Sequence, residues 1–126
     1  MKKLLLIVFM LATGAAAFAQ EADCERFKTG KFKYNDPNFG TVIIKRDKDK
    51  QIEMPAEGKT EIHGDVKWLN ECTYTMTYTK IVNADAPHLI GKKITVEIIE
   101  SRDNTYTCRV TAEDGFSGTL DVVKMK

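Results

Sequence analysis

Ser117 is the residue whose neighbours most resemble those of a catalytic nucleophile. It lies in the run Gly-Phe-Ser-Gly at 115–118, which has the look of a nucleophile elbow. That motif needs a glycine two residues after the serine and a helix behind it, but Thr119 stands at that position and no helix is predicted to follow. We interpret the segment as part of a β-hairpin and predict no catalytic residues and no enzyme activity. The alternative is an enzyme that uses Cys108 or His63.

Potential metal ligands are equally sparse. No Cys-x-x-Cys pair occurs, and the two histidines, His63 and His88, have no ligand partner nearby in sequence. Asp47, Asp49 and Glu53 are spaced loosely like calcium ligands, but the segment lacks the glycine and the full set of acids of a calcium loop. We predict no metal site and no cofactor.

The three cysteines suggest one disulfide and one buried thiol. Cys24 precedes the first predicted strand and Cys72 opens the fifth. In an up-and-down barrel all odd-numbered strands begin at the same end, so these two cysteines can meet there and form a bridge. Such a bridge stabilises by roughly 4 kcal/mol in the chain-entropy model. Cys108 lies on the apolar face of its strand and is predicted to be a buried thiol. The alternative is that all three remain thiols.

A polar cluster is possible near the turn Asp47–Lys50. A hairpin with that loop pairs Arg46 with Gln51, and Glu53 then shares their face of the sheet. If this face points inward, Arg46 and Glu53 form a partly buried pair that can orient the polar end of a small ligand.

The hairpin has a second interpretation, which we favour on sequence grounds. Its opposite face carries Ile43, Ile52 and Met54, and if these residues point inward, Arg46 and Glu53 are ordinary surface charges.

Four aromatic side chains, Trp68, Tyr74, Tyr78 and Tyr106, either line a ligand cavity together with the polar pair or simply fill the interior.

The elements that position these residues are β-strands. The clearest pattern runs from Cys72 to Lys80, where threonines alternate strictly with Cys72, Tyr74, Met76 and Tyr78. No segment after residue 19 carries a convincing amphipathic helix. Turn residues separate eight predicted strands: Arg26–Tyr34, Gly40–Arg46, Gln51–Met54, Lys59–Trp68, Cys72–Lys80, Lys93–Glu100, Asn104–Thr111 and Phe116–Lys124.

Short connections favour sequential antiparallel neighbours, and eight such strands can close into an up-and-down barrel. We therefore predict an all-β barrel of the lipocalin or calycin kind, with a β-sandwich as the alternative. An immunoglobulin-type sandwich needs a tryptophan between two bridged cysteines, and Trp68 lies only four residues before Cys72, which is the wrong spacing.

The first 19 residues have the features of a secretory signal peptide. Lys2 and Lys3 precede the apolar run Leu4–Ala12, and Ala17-Phe18-Ala19 fits a signal-peptidase site. The apolar run is too short to span ~30 Å of hydrocarbon. We expect cleavage after Ala19, which leaves one domain of residues 20–126, periplasmic or secreted and without a membrane span.

The charge balance argues against nucleic acid as a partner. Two of the 19 Lys and Arg residues lie in the signal segment, which leaves 17 against 18 Asp and Glu, a net charge of about −1. Nucleic-acid binders usually show a basic surplus or a basic stripe.

The residues at 30–34 (Gly-Lys-Phe-Lys-Tyr), 51–53 (Gln-Ile-Glu), Trp68 and 72–74 (Cys-Thr-Tyr) carry a resemblance that covers nearly all of the mature chain. Their layout resembles a family of small secreted bacterial β-proteins of unknown function, some of which bear an automatic "DNA topoisomerase IV" label. A topoisomerase subunit needs an ATP site, or a cleavage tyrosine with metal-binding acids. The sequence has no such motif, so its residues do not support that label.

The first strand is also similar to that of lipocalins, in which Gly-x-Trp opens strand one. Here Phe32 replaces the tryptophan, Lys124 stands in the last strand where lipocalins have arginine, and no C-terminal helix is predicted. The resemblance implies a barrel with an internal ligand. We expect an exported, non-enzymatic protein that binds a small molecule or a protein partner. The alternative is an inhibitor or interaction module that presents the loop Asn83–Leu89 to an enzyme.

Overall fold

The computed structural model describes residues 23–126, so the predicted signal peptide lies outside the described residues. Eight antiparallel strands form a closed barrel in which each strand pairs with its sequence neighbours and β1 pairs with β8. The strands are β1 Gly30–Asp36, β2 Gly40–Arg46, β3 Lys50–Pro55, β4 Glu61–Trp68, β5 Thr73–Val82, β6 Lys93–Arg102, β7 Thr105–Ala112 and β8 Ser117–Met125. The predicted up-and-down barrel is confirmed, and the sandwich alternative is wrong.

The barrel closes because each strand has an apolar face, which is buried in the interior. In β5, Tyr74 and Met76 are buried while Thr73 and Thr75 on the other face are partly exposed, as strict alternation requires. No helix in residues 23–126 is long and apolar enough to cross a membrane. The buried apolar core consists of Cys24, Phe27, Phe32, Val42, Ile44, Val66, Tyr74, Met76, Val96, Ile98, Tyr106, Cys108 and Val122.

The start of the first strand differs from the prediction. β1 begins at Gly30 rather than Arg26, because Glu25–Phe27 forms a short 3-10 helix that turns the side chain of Phe27 into the barrel. Gly30 has φ +133°, a conformation that glycine adopts readily, and this lets the chain change direction between the helix and the strand.

The barrel has two ends with different coverings. At one, called here the closed end, the turns 47–49, 69–72 and 103–104 lie beside the 3-10 helix Glu25–Phe27. The disulfide Cys24–Cys72 ties that helix to the barrel across a Cα–Cα distance of 5.3 Å, as predicted. The other, called here the open end, carries the connections 37–39, 56–60, 83–92 and 113–116.

A glycine beneath the polar cluster lets the wall pack tightly. Gly64 pairs with Gln51 of β3, and a Cβ at Gly64 would lie 2.5 Å from Cε and 2.7 Å from Cγ of Met76. Met76 is fully buried, and its sulfur lies 3.3 Å from Nε2 of Gln51. Any larger residue at position 64 would displace the methionine that supports Gln51.

Candidate functional site

Arg46 occupies the interior of the barrel near the closed end, with 4% of its surface exposed. The β2–β3 hairpin pairs it with Gln51, as predicted, and its Nε donates to Oε1 of Gln51 at 2.7 Å. Nη1 donates to the carbonyl oxygen of Phe27 at 2.8 Å, and Nη2 donates to the hydroxyls of Tyr74 at 2.9 Å and Tyr106 at 3.0 Å. The buried guanidinium therefore directs its donors at neutral oxygen acceptors.

The favoured sequence interpretation of this hairpin is wrong. Ile43, Ile52 and Met54 lie on the outer face of the wall, and it is Arg46 and Gln51 that are buried inside. The physical reason is the pairing with β1. The fully buried Phe32 pairs with Ile44, and this register turns the whole alternate set of the hairpin inward.

Glu53 lies one inward position further along β3 and is half-buried. Its Oε1 accepts a hydrogen bond from the hydroxyl of Tyr34 at 3.0 Å, and its Oε2 accepts one from Nε2 of Gln51 at 3.3 Å. Burial raises the pKa of Glu53 above its usual value, while these hydrogen bonds and the charge of Arg46 partly oppose that rise. Gln51 thus bridges a buried cation and a carboxylate that do not touch each other.

Several cavities lie toward the open end, and two of them have Glu53 in their lining. The first, of about 260 Å³, lies inside the barrel above Tyr74 and Tyr106 and reaches Phe116 at the rim. The second, of about 330 Å³, lies between the β1–β2 turn and the connection 83–92. Tyr34, Glu53 and Tyr78 line both cavities, so these three side chains form the boundary between them.

The walls of the first cavity are mainly aliphatic and aromatic. Glu53 provides its carboxylate, and burial raises the pKa of the Tyr78 hydroxyl to about 12, so Tyr78 stays neutral at physiological pH. A mostly apolar cavity with a few convergent polar groups is typical of small-molecule sites. The aliphatic lining residues are Ile44, Ile94, Val96, Val110, Ala112, Leu120 and Val122.

The structure brings four of the predicted site residues to the cavities, in two positions. Glu53 and Tyr78 lie at the boundary of the two cavities, whereas Tyr74 and Tyr106 line the floor of the first and bond to Arg46 beneath it.

Trp68 is absent from the lining of both cavities. It packs on Tyr74 with ring centroids 4.8 Å apart, near the closed end. Its Nε1 is the one buried side-chain nitrogen or oxygen without a hydrogen-bond partner in the part of the chain that the structure describes.

Sequence reasoning missed Tyr34 and Phe27. Tyr34 alternates with Phe32 against two lysines in β1, so its inward position was readable from the sequence. Phe27 was assigned to a strand, and no local pattern signals that its carbonyl oxygen meets Arg46.

The remaining candidate nucleophile and ligand residues have structural surroundings. Cys108 is a buried free thiol, as predicted, and lines the first cavity; burial raises its pKa to about 12. His63 lies on the outer wall with Nε2 2.9 Å from Oε1 of Glu61. Within residues 23–126 no three His, Cys, Asp or Glu side chains gather closely enough to hold a metal ion.

The loop Asn83–Leu89, predicted to face a protein partner, belongs to the longest connection of the barrel, 83–92. Its residues Ala84, Ala86 and Leu89 line the second cavity, so this loop forms part of the open end.

Comparison with protein-family models, curated proteins and solved structures finds no match to this chain.

Proposed function

We propose that this chain is an exported, non-enzymatic binding protein that takes a small, largely apolar molecule into its barrel through the open end. The observation that carries the proposal is the internal cavity of about 260 Å³, with aliphatic and aromatic walls and a single carboxylate. The disulfide and Arg46 fix the opposite end, so the cavity has a rigid floor. A preformed cavity of this kind binds without the entropic cost of ordering a loop.

The lipocalin resemblance is part of this proposal. The two residues that differ from the lipocalin pattern, Phe32 and Lys124, pair across β1 and β8 at the closed end, with Nζ of Lys124 6.0 Å from the ring centroid of Phe32. The same Nζ donates to the carbonyl oxygen of Arg26 at 2.6 Å, which ties the last strand to the 3-10 helix.

A neutral probe tests the cavity. We expect 2-phenylethanol to bind in the millimolar range, as suits so small a ligand, and to shift the methyl resonances of Ile44, Ile94 and Val96 in carbon–proton correlation spectra. Substitution A112F places a ring inside the first cavity and should abolish the shifts. T111F adds the same ring on the exposed outer face of β7 and is the matched control. Equal behaviour of the two variants, or no saturable methyl shift in the unaltered chain, would contradict the proposal.

Export is the second part of the proposal. The disulfide Cys24–Cys72 supports it, because such bridges persist in oxidising compartments. N-terminal sequencing of the protein recovered from cells should give Gln20 as the first residue. Recovery of the chain from the cytoplasm with Met1 intact and both cysteines reduced would refute this part.

A protein partner at the open end is the second candidate function. Phe39, Ile90 and Phe116 are 66%, 46% and 69% exposed, and all three lie on connections of that end. Aromatic side chains are enriched in protein–protein interfaces. A double variant F39S/I90S, which alters exposed residues outside the first cavity, would favour this function over a purely small-molecule role if it retains binding of 2-phenylethanol but loses a partner in cross-linking.

A further inference from the structure

We infer that the ligand has a compact apolar body and a single cationic head, such as a primary amine, which is held at the carboxylate of Glu53 between the rings of Tyr34 and Tyr78. The inference deepens the proposed function and rests on it, since it assigns the chemical class of the molecule that the barrel would hold.

The first argument is the charge of the lining. Among the described residues, no lysine, arginine or histidine lines either cavity. Among those residues the only carboxylates in the two linings are Glu53 and, in the second cavity, Asp36. A ligand entering from the open end therefore meets negative charge within mostly apolar walls, where charges are weakly screened.

The second argument is the unused bonding capacity of Glu53. A carboxylate has about four lone-pair sites, and the structure fills two of them, through Tyr34 at 3.0 Å and Gln51 at 3.3 Å. Nothing in residues 23–126 forms a direct ion pair with it, because the nearest buried cation, Arg46, bonds to Gln51, Phe27 and two tyrosines instead. Charge-assisted bonds to a ligand ammonium would complete this carboxylate.

The third argument concerns the rings beside the carboxylate. Tyr34 and Tyr78 line both cavities together with Glu53, so an ammonium at Glu53 lies within reach of two electron-rich rings. Cations are attracted to such faces, and more strongly so in a site that excludes water. Aromatic rings beside a carboxylate suit a cationic head and give an anionic one no favourable partner.

The same geometry disfavours carboxylate ligands such as fatty acids. Arg46 is the one cation near the interior, but it is only 4% exposed and lies beneath Tyr74 and Tyr106, whose hydroxyls accept its donors. An anionic head in the first cavity would face Glu53 without reaching the guanidinium. The volume of about 260 Å³ lies just below the usual range of ligand cavities, about 300–1,000 Å³, so the body of the ligand must be short.

Three probes that share one ring and differ only in the head test the inference: 2-phenylethylamine, 2-phenylethanol and phenylacetate. Affinities are measured by titration followed in the methyl spectra of the full mature chain. We expect the amine to bind at least about tenfold more tightly than the alcohol, the usual effect of a hydrogen bond to a charged group, and phenylacetate to bind most weakly. Substitution E53Q should remove the preference for the amine over the alcohol.

The matched control is E57Q, which removes the same charge from an exposed residue of the connection 56–60 and should leave all three affinities unchanged. If the alcohol binds as tightly as the amine, or the preference survives in E53Q, the inference is wrong while the cavity remains a binding site. If no probe binds, the proposed function fails as well. The ranking of the probes in the unaltered chain decides the question even if E53Q does not fold.

Discussion

At the closed end of the barrel Arg46 sends its donors to a side-chain amide, a backbone carbonyl and two tyrosine hydroxyls, and it is almost fully buried. At the boundary of the open end Glu53 accepts two hydrogen bonds and remains half-buried, facing two cavities. Both groups belong to one hairpin and lie on the same face of it. Groups within the protein accept the hydrogen bonds of the Arg46 guanidinium. The Glu53 carboxylate, in contrast, can still accept further hydrogen bonds.

The aromatic residues of the two ends differ in the same way. Phe27 is fully buried and lies 5.0 Å from the ring of Tyr106, centroid to centroid, whereas Phe116 is 69% exposed. The closed end buries its rings in the core, while the open end exposes them around the cavities. The closed end is thus part of the packed core, whereas the open end carries the cavities at which we propose binding.

The largest expected effect contrasts these two phenylalanines. F27A removes a fully buried ring and should lower the free energy of unfolding by about 3–5 kcal/mol, the usual range for such a truncation. F116A makes the same truncation at an exposed position and should change it by less than about 0.5 kcal/mol. Urea denaturation followed by circular dichroism measures both. Similar losses in the two variants would remove the proposed division between the ends.

Removal of the buried Arg46 guanidinium should have the second largest effect on the free energy of unfolding. R46M keeps an unbranched side chain of similar length but leaves Gln51 and the carbonyl of Phe27 without their donor, so we expect a loss of about 3 kcal/mol. K45M makes the same exchange at the neighbouring, exposed position and is the control. The idea that Arg46 holds the closed end together fails if R46M unfolds at the same urea concentration as K45M.

The disulfide should contribute a similar or slightly smaller amount. The double variant C24A/C72A removes a bridge between residues 48 apart in sequence, and we expect a loss of about 2–4 kcal/mol. A reducing agent should lower the melting temperature of the unaltered chain and leave that of the double variant unchanged. A reductant effect that persists in the double variant would show that the effect does not arise from this bridge.

The fold was largely predictable because its signals are local. Strict alternation in the region of β5 and turn residues at regular spacing give eight strands, and short connections leave a meander that can close. The prediction went wrong where a long-range tie overrides local pattern. Residues 26 and 27 were predicted to begin a strand, but they belong to the 3-10 helix Glu25–Phe27, which the bridge from Cys24 to Cys72 ties to the closed end.

The site was less predictable, for the same reason. Counting charges near the turn 47–49 favours Arg46 on the surface, since Ile43 and Ile52 occupy the other face. The partners that make its burial possible come from far along the chain: Phe27, Tyr74 and Tyr106 are 19, 28 and 60 residues away. Local sequence patterns do not reveal partners so far apart in the chain. The alternation of Phe32 and Tyr34 with lysines in β1, in contrast, indicates which face of that strand points inward.

The smallest expected effect is a pH dependence that originates at the open end. Burial raises the pKa of Glu53 in the folded chain above its unfolded value, so the folded state binds the proton more tightly. The groups that face this carboxylate are the hydroxyls of Tyr34 and Tyr78, the amide of Gln51 and the charges of Asp36 and Arg46.

The contribution of Glu53 to stability is therefore fully present below its unfolded pKa and is lost as the pH rises through its folded pKa. The slope is at most about 1.4 kcal/mol per pH unit, because one proton is involved. E53Q should lack this decline, while E57Q, which alters an exposed carboxylate at the same end, should retain it. Urea titrations between pH 4 and pH 8 compare the three chains. Parallel curves for E53Q and the unaltered chain would mean that Glu53 is as well solvated as a surface carboxylate, and the contrast between the two ends would then rest on Arg46 alone.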